Sequence, residues 1–286
     1  MLTFSQNYFN AETKDGFFID ARMKHAWAAQ LEVLEEIRRV CDILNIRFFA
    51  DWGTLLGAVR HKGFIPWDDD LDIGMLRNDY MRFLELAPPL LSEYFELKSL
   101  YNDPGHDNVK ARIITGRHMN FSKDYLKRFH GCPYVIGIDI FPIDYINKDI
   151  EALNEQLRLI NLILSAASSI PECPPQNSNE VCSMIDLACG WDYHALLEWY
   201  SDTIDMPFEN TTIPVPAGYD GILKIKYGDN YMTPVQCSSS HDYPFYKKQE
   251  NSLRETIEYE YNTQLSDSEF NQLINDKIAE AGITQW

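Results

Sequence analysis

The chain has 286 residues, of which 45% are hydrophobic, 24% charged and 13% aromatic, enough for one large globular domain or two small ones. Its 25 Lys+Arg stand against 43 Asp+Glu, a formal net charge of -18. That balance excludes non-specific binding to nucleic acid or anionic lipid, which needs net positive charge, but permits a local basic patch for a phosphate. The opening stretch, MLTFSQNYFNAETKDGFF, lacks the basic-then-apolar order of a signal peptide and reads as an irregular arm. No run approaches the roughly 18 apolar residues of a membrane span; the best stretch, 157–170, is broken by Arg158, Asn161 and several serines. Six cysteines at 41, 132, 173, 182, 189 and 237 form no Cys-x-x-Cys and are expected to be reduced structural thiols, as in a cytosolic protein.

Asp20 predicts the N-cap of a helix to about Asn45, with Trp27, Leu31, Leu34, Ile37, Cys41 and Leu44 as one apolar stripe. A strand is expected at 46–50, then Asp51-Trp52-Gly53-Thr54-Leu55-Leu56-Gly57. There a helix starting near Thr54 would offer free N–H groups to a phosphate. Arg60, His61 and Lys62 supply a dense positive cluster beside it. Beyond the acidic stretch, a helix runs over 78–87 and stops at Pro88-Pro89. Strands are expected at 95–100 and 109–115, the second with Lys110 and Arg112 on one face, suited to the wall of an anion cleft or to a charged edge. Residues 134–144 are strongly β-prone. Helices are expected over 149–167 and 181–200, separated by the Pro-, Ser- and Asn-rich stretch 168–180. Residues 212–220 read as rigid and extended, followed by a short helix ending at Gly228. A last helix, 267–281, opens on a Ser266/Glu269 capping box.

The chemistry concentrates in Phe64-Ile65-Pro66-Trp67-Asp68-Asp69-Asp70-Leu71-Asp72-Ile73-Gly74-Met75, with four carboxylates within five residues. In an extended Asp70-Leu71-Asp72 the two acids share a face and repel each other unless a cation lies between them. A hard divalent ion such as Mg2+ fits carboxylate oxygens and leaves positions for phosphate. Asp139, embedded in the apolar run 134–144, needs a partner because an unpaired buried carboxylate costs several kcal/mol. That partner is either a metal already held by Asp70 and Asp72, or an Arg or backbone N–H. Asp144 is expected to cap the following turn.

The run from Gly53 to Met75 closely resembles the signature of the LicD family, which includes bacterial phosphorylcholine transferases and is related to the fukutin-type sugar-phosphate transferases. Gly137-Ile138-Asp139-Ile140-Phe141-Pro142-Ile143-Asp144, and the stretches 213–220 and 227–234, match it too, so the resemblance covers roughly residues 25 to 245. It implies an α+β fold: a nucleotidyltransferase-like core sheet flanked by helices, with a helical insertion and a C-terminal helical part. Residues 1–286 would form a single domain, with the core at about 20–146 and the helical and C-terminal part at about 147–286.

The same resemblance implies Asp70, Asp72 and Asp139 as catalytic and metal-binding residues, with Asp68 as a further metal ligand. The ion would be Mg2+ or Mn2+. Gly53, Thr54, Arg60, Lys110, Arg112, Trp67 and His241 are the expected substrate contacts. The implied reaction moves phosphocholine, or a similar phospho-alcohol, from a CDP-activated donor to a hydroxyl of a cell-surface glycan or its lipid-linked precursor, as in lipopolysaccharide or teichoic acid biosynthesis, and releases CMP. If a choline ammonium binds, an aromatic box is expected, with Trp52, Trp67 and Tyr243 as candidates. The implied location is cytoplasmic, or peripheral at the inner face of the cell membrane, with no nucleic acid partner. Two alternatives stand beside it: a nucleotidyltransferase attaching CMP or AMP to a small acceptor, and a non-catalytic glycan-binding module.

Overall fold

The computed structural model describes residues 1–286 except 104, 107, 147–148, 167–178, 184–185, 188–190, 192, 237–242 and 284–286, and except the side chains of 159–166. The opening arm is more ordered than its sequence suggested. Strands β1 (Glu12–Lys14) and β2 (Phe17–Ile19) form an antiparallel hairpin. Its turn is Asp15-Gly16, both at positive φ (50° and 78°). Asp-Gly is the expected dipeptide for such a turn, and it is the signal that the reading of an irregular arm passed over.

Helix α1 (Ala21–Leu44) begins where Asp20 caps it, its side chain accepting from Met23 N at 2.7 Å. It ends at Asn45 in the left-handed region. It is more than an amphipathic scaffold: Lys24, His25, Gln30, Glu32 and Glu36 are buried along with its apolar residues. Each polar group so placed needs a partner, and all five of these side chains bond to residues outside the helix. Glu32 takes Arg128, His130 at 2.8 Å and the Leu2 N–H at 2.6 Å, tying down the arm. Gln30 reaches the acidic loop described below.

After α1 come β3 (Phe49–Ala50), α2 (Trp52–Arg60), β4 (Asp72–Leu76), α3 (Arg77–Leu86), β5 (Glu96–Lys98), β6 (Ala111–Ile114), α4 (Lys123–Arg128) and β7 (Gly137–Tyr145). The strands form a mixed sheet in the order β3-β4-β7-β6-β5. β4 and β7 are parallel, while the other neighbours run antiparallel. Helices α1 and α3 lie against β7, which is buried along nearly its whole length. This explains the near-continuous apolar run in the sequence.

Helix α5 (Ile150–Ala166) follows, then β8 (Glu180–Cys182), which extends the sheet from the far end of β7, and β9 (Ala195–Leu196), which pairs with β8. The long helix expected over 181–200 is therefore corrected: Glu180–Cys182 and Ala195–Leu196 are strands, and Leu197–Tyr200 is a short 3-10 turn. Sheet edges recruited these residues despite their helical spacing.

The extended segment before Gly218 is β11 (Thr211–Pro216), paired with β10 (Thr203–Phe208). Helix α6 (Tyr219–Tyr227) stops at Gly228 as expected, α7 (Tyr246–Tyr261) was not anticipated, and α8 (Asp267–Glu280) carries the expected reciprocal Ser266/Glu269 cap. The chain is thus α+β, a central mixed sheet flanked by helices with further helices at its C-terminal side. No helix among the described residues is long and apolar enough to cross a membrane. Cys41, Cys132 and Cys182 are buried and form no disulfide among the described residues; Cys173, Cys189 and Cys237 lie outside the described residues.

Candidate active site

The site forms where the starts of α2 and β4 meet β7. Regular strand begins only at Asp72, so Asp68, Asp69 and Asp70 sit on an irregular loop and not on an alternating strand. Two backbone bonds and one side chain fix Asp72. Its carbonyl accepts from Asp51 N at 3.0 Å, its N–H donates to Thr54 Oγ1 at 2.8 Å, and Asp139 N donates to Leu71 O at 3.2 Å. Asp72 lies in register with Asp139 on β7, and Asp139 with Arg112 on β6. Three charged residues thus line up across three strands.

Asp139 is 5% exposed and both its oxygens are engaged. Arg112 donates from Nε to Oδ1 and from a terminal nitrogen to Oδ2 at 3.1 Å, and Lys110 donates to Oδ2. Burial alone would raise the proton affinity of Asp139, but the charges of Arg112 and Lys110 outweigh it and hold the carboxyl below its ordinary value. Of the two partners foreseen for this residue, the structure supplies the cationic side chains.

Asp68, Asp70 and Asp72 are half-buried, and Asp69 is buried. One oxygen each of Asp68, Asp69 and Asp70 lie within 4.8 Å of one another. Burial, followed by the charge of Asp70 and a hydrogen bond with it, pushes Asp68 well above the ordinary carboxylate range. Burial, then Asp70 and Asp139, does the same to Asp72. These are crowded like charges, and an oxygen-rich donor set of this kind fits a hard divalent cation. Asp69 belongs in part to the scaffold: its Oδ2 accepts from Phe245 N at 2.6 Å, next to α7, while Gln30 donates to its carbonyl at 2.7 Å. Trp27 stacks on Phe64 and donates to Asp68 O at 3.2 Å. So α1 and the start of α7 grip the acidic loop, which the local sequence gave no means of seeing.

The expected substrate contacts divide. A Cβ on Gly53 would come within 2.3 Å of Asp68 Oδ2, so this glycine admits the carboxylate side chain to the helix start. Helix α2 begins at Trp52, not Thr54, and its N-terminus is already capped by Asp51, which accepts from Trp52 N at 2.8 Å. The Thr54 hydroxyl is turned to Asp72, as above. Arg60 points to the carbonyls of Tyr231 (2.9 Å) and Thr233 (3.5 Å), which tie it to the segment after α6. Trp67 packs edge-on to Phe17 and His61. His241 lies outside the described residues. Lys110 and Arg112 are the expected cations that the fold brings to the acids.

Other charged groups near the site were not singled out from sequence. Lys226 on α6 is ion-paired with buried Asp51 and stands 3.9 Å from the centroid of the Trp52 ring. Asp186 is 3% exposed, and burial pushes it up to about 7, even though Lys226 and Lys110 pull the other way. Burial together with the charges of Asp51, Asp68 and Asp72 also holds the Tyr227 hydroxyl firmly protonated. Asp144 does not cap a turn: it is fully buried inside β7 and accepts from Arg77 Nε and a terminal nitrogen at 2.7 and 2.8 Å.

Residues 45–152, which hold this whole acidic constellation, match the family described as LicD/FKTN/FKRP, nucleotidyltransferase domain. This segment is similar to a LicD-type domain. The chain is 39% identical over 69 residues to the lipopolysaccharide cholinephosphotransferase LicD of Haemophilus influenzae, covering 24% of this chain and 26% of that protein. It is 40% identical over 53 residues to the mouse ribitol 5-phosphate transferase FKRP (17% of this chain, 11% of that protein). The mouse ribitol-5-phosphate transferase FKTN is 27% identical over 118 residues, 39% of this chain and 24% of that protein. The similarity therefore spans about a quarter or less of the length of these relatives.

Proposed function

We propose that the protein is a metal-dependent transferase that moves a phospho-alcohol from a CDP-activated donor to a glycan hydroxyl and releases CMP. The observation that carries this reading is the crowding of Asp68, Asp70 and Asp72, which with burial raises Asp68 and Asp72, beside an Asp139 paired with Lys110 and Arg112. The LicD-type match supports it, as do relatives whose names describe cholinephosphate and ribitol-phosphate transfer. Phosphocholine leads as the transferred group, and a glycan or its lipid-linked precursor as the acceptor.

Asp68, Asp70 and Asp72 would hold Mg2+ or Mn2+, which would counter the charge of the donor diphosphate. The acceptor oxygen attacks the phosphorus bearing the alcohol; the P–O bond to CMP breaks, CMP leaves with the bridging oxygen, and the hydroxyl proton passes to solvent water. Thr54 keeps Asp72 at the strand start, and Gly53 lets Asp68 lie against α2. Lys110 and Arg112 keep Asp139 ionised. A carboxylate with lowered proton affinity is a weak base, so Asp139 acts electrostatically and does not take the proton. Arg112 is itself half exposed and keeps donors for a phosphate oxygen.

The test uses CDP-choline labelled separately on choline and on cytidine, a glycan acceptor, and Mg2+ or EDTA. Choline label in the acceptor, with CMP released only when metal is present, is the expected result. Cytidine label in the product would replace this reading with nucleotidyl transfer, and transfer undiminished by EDTA would remove the metal from it.

A further inference from the structure

Helix α1 reaches the acidic loop through two side chains. Trp27 and Gln30 are three residues apart and so share one face of the helix. Trp27 donates from Nε1 to the carbonyl of Asp68 at 3.2 Å, and Gln30 donates from Nε2 to the carbonyl of Asp69 at 2.7 Å. Two consecutive carbonyls of the loop are thereby turned toward the helix. Both side chains are almost wholly buried, at 1% and 2% exposure. The Trp27 ring lies on Phe64 at 4.6 Å between centroids and 2° between planes, which fixes the direction of its N–H. The loop is closed from its other side by Asp68 N, which donates to Ile65 O at 2.9 Å.

Packing alone does not account for Gln30. Its Oε1 is buried and has no hydrogen-bond partner among the described residues. The carbonyl it faces accepts only from the NH2 end of the amide, so turning the amide over would lose the one bond it makes. A half-satisfied buried amide costs stability that an apolar side chain of similar length would not. What the amide does achieve is specific: it fixes the peptide joining Asp69 to Asp70, as Trp27 fixes the peptide joining Asp68 to Asp69. The carboxylates on these residues have oxygens within 4.8 Å of one another, and their repulsion favours a splayed loop. Anchoring both peptides on a 24-residue helix opposes that relaxation. Both anchors precede the matched segment 45–152.

We propose that Trp27 and Gln30 are positioning residues for the divalent ion: by holding the peptides on either side of Asp69, they keep the carboxylates of Asp68 and Asp70 at ligating separation before an ion arrives. This rests on the metal-dependent reading above and names what prepares its site. One consequence separates this role from ordinary core bonding. Without the Gln30 anchor the acids can move apart, and the relief of their repulsion, with the removal of the unmet Oε1, offsets the lost bond in the metal-free protein. Metal affinity falls all the same, because the binding energy of the ion must then draw the acids together.

The experiment titrates the full chain with Mn2+, reading the free ion by electron paramagnetic resonance, and records melting with and without Mn2+. It compares the wild type with Gln30→Met, which keeps the length and drops the donor, and Trp27→Phe, which keeps a ring against Phe64 and drops the N–H. Tyr125→Phe is the control: it removes a buried bond of the same kind, to the carbonyl of Tyr134 at 2.9 Å, that does not involve the loop. Gln30→Met should weaken Mn2+ binding about tenfold and Trp27→Phe about threefold, the scale of one short and one longer buried hydrogen bond. The metal-free melting temperature of Gln30→Met should stay close to that of the wild type. Tyr125→Phe should do the reverse, melting lower while binding Mn2+ as the wild type does. Unchanged affinity in Gln30→Met and Trp27→Phe overturns the proposal and leaves the metal reading standing. Affinity lost only in proportion to unfolded protein, or lost equally in Tyr125→Phe, overturns it as well. A wild type that binds no Mn2+ overturns both, whereas Mn2+ binding without transfer from CDP-choline counts only against the transfer reaction. Should Gln30→Met fail to fold, Trp27→Phe decides alone.

Discussion

Strand β7 carries two buried aspartates, five positions apart, and they live in opposite electrostatic settings. Asp144 meets one guanidinium, that of Arg77, in a two-bonded pair sealed from solvent. Asp139 also has cations, Arg112 and Lys110, but it stands in register with Asp72 and near a loop of three further acids. At the Asp144 end one acid balances one base. At the Asp139 end Lys110 and Arg112 pair with Asp139, while Asp68 and Asp72 are raised by burial and by the neighbouring carboxylates. A balanced buried pair is a structural device, whereas an unbalanced cluster is kept at a cost and signals a ligand that brings the missing charge.

Substitutions at the two ends should therefore fail differently. Asp72→Asn is expected to lower transfer on the order of 10³-fold, the scale of losing one preorganised electrostatic group, while leaving metal-free stability unchanged or raised. Parallel activity and thermal-melting measurements check both halves, and a marked drop in melting temperature would erase the contrast. Asp144→Asn should do the reverse. It strands the Arg77 charge in the core and should cost about 3–5 kcal/mol in urea denaturation, with activity lost only as folded protein is lost.

Acidity sharpens the same contrast. Burial raises Asp186 to about 7 in the fold, against about 4 in an unfolded chain. Between those values the folded state binds the extra proton, so this group's contribution to stability declines as pH rises from about 4 to about 7. Asp186→Asn should accordingly raise the melting temperature at pH 8 and change it little at pH 4, in metal-free buffer. Asp139 runs the other way: its stabilising pairs are fully present above the unfolded carboxylate value and are lost as pH falls through its lowered folded value. The smallest effect is expected from Thr54→Val. Removing the acceptor of the Asp72 N–H should cost about 1–3 kcal/mol in urea denaturation and loosen the acid without deleting it.

Local signals were read well where the chain's own chemistry decides. Asp20 and Ser266 mark helix starts because a side-chain oxygen satisfies a free N–H within the same turn, and Gly228 marks a stop for a similarly local reason. Failures came where distant partners decide. The helical spacing of 181–200 gave way to pairing with β7, and Asp144 was claimed by Arg77 elsewhere in the fold. The expected aromatic box suffered likewise: Trp52 went to Trp191 and Tyr193, whereas Trp67 and Tyr243 both went to Phe17.

By itself, the sequence determined that acids would crowd at Asp68, Asp69, Asp70 and Asp72 and that the buried Asp139 would need positive charge. Side-chain type and spacing alone carry those facts. Only the tertiary structure decided which cations answer which acids, because pairing depends on the register of β4, β7 and β6, which aligns Asp72 with Asp139 and Asp139 with Arg112 although they lie far apart in the chain. It likewise decided that Lys226, Trp191 and Tyr193 gather at Trp52, since their separation along the chain left nothing for a local pattern to detect.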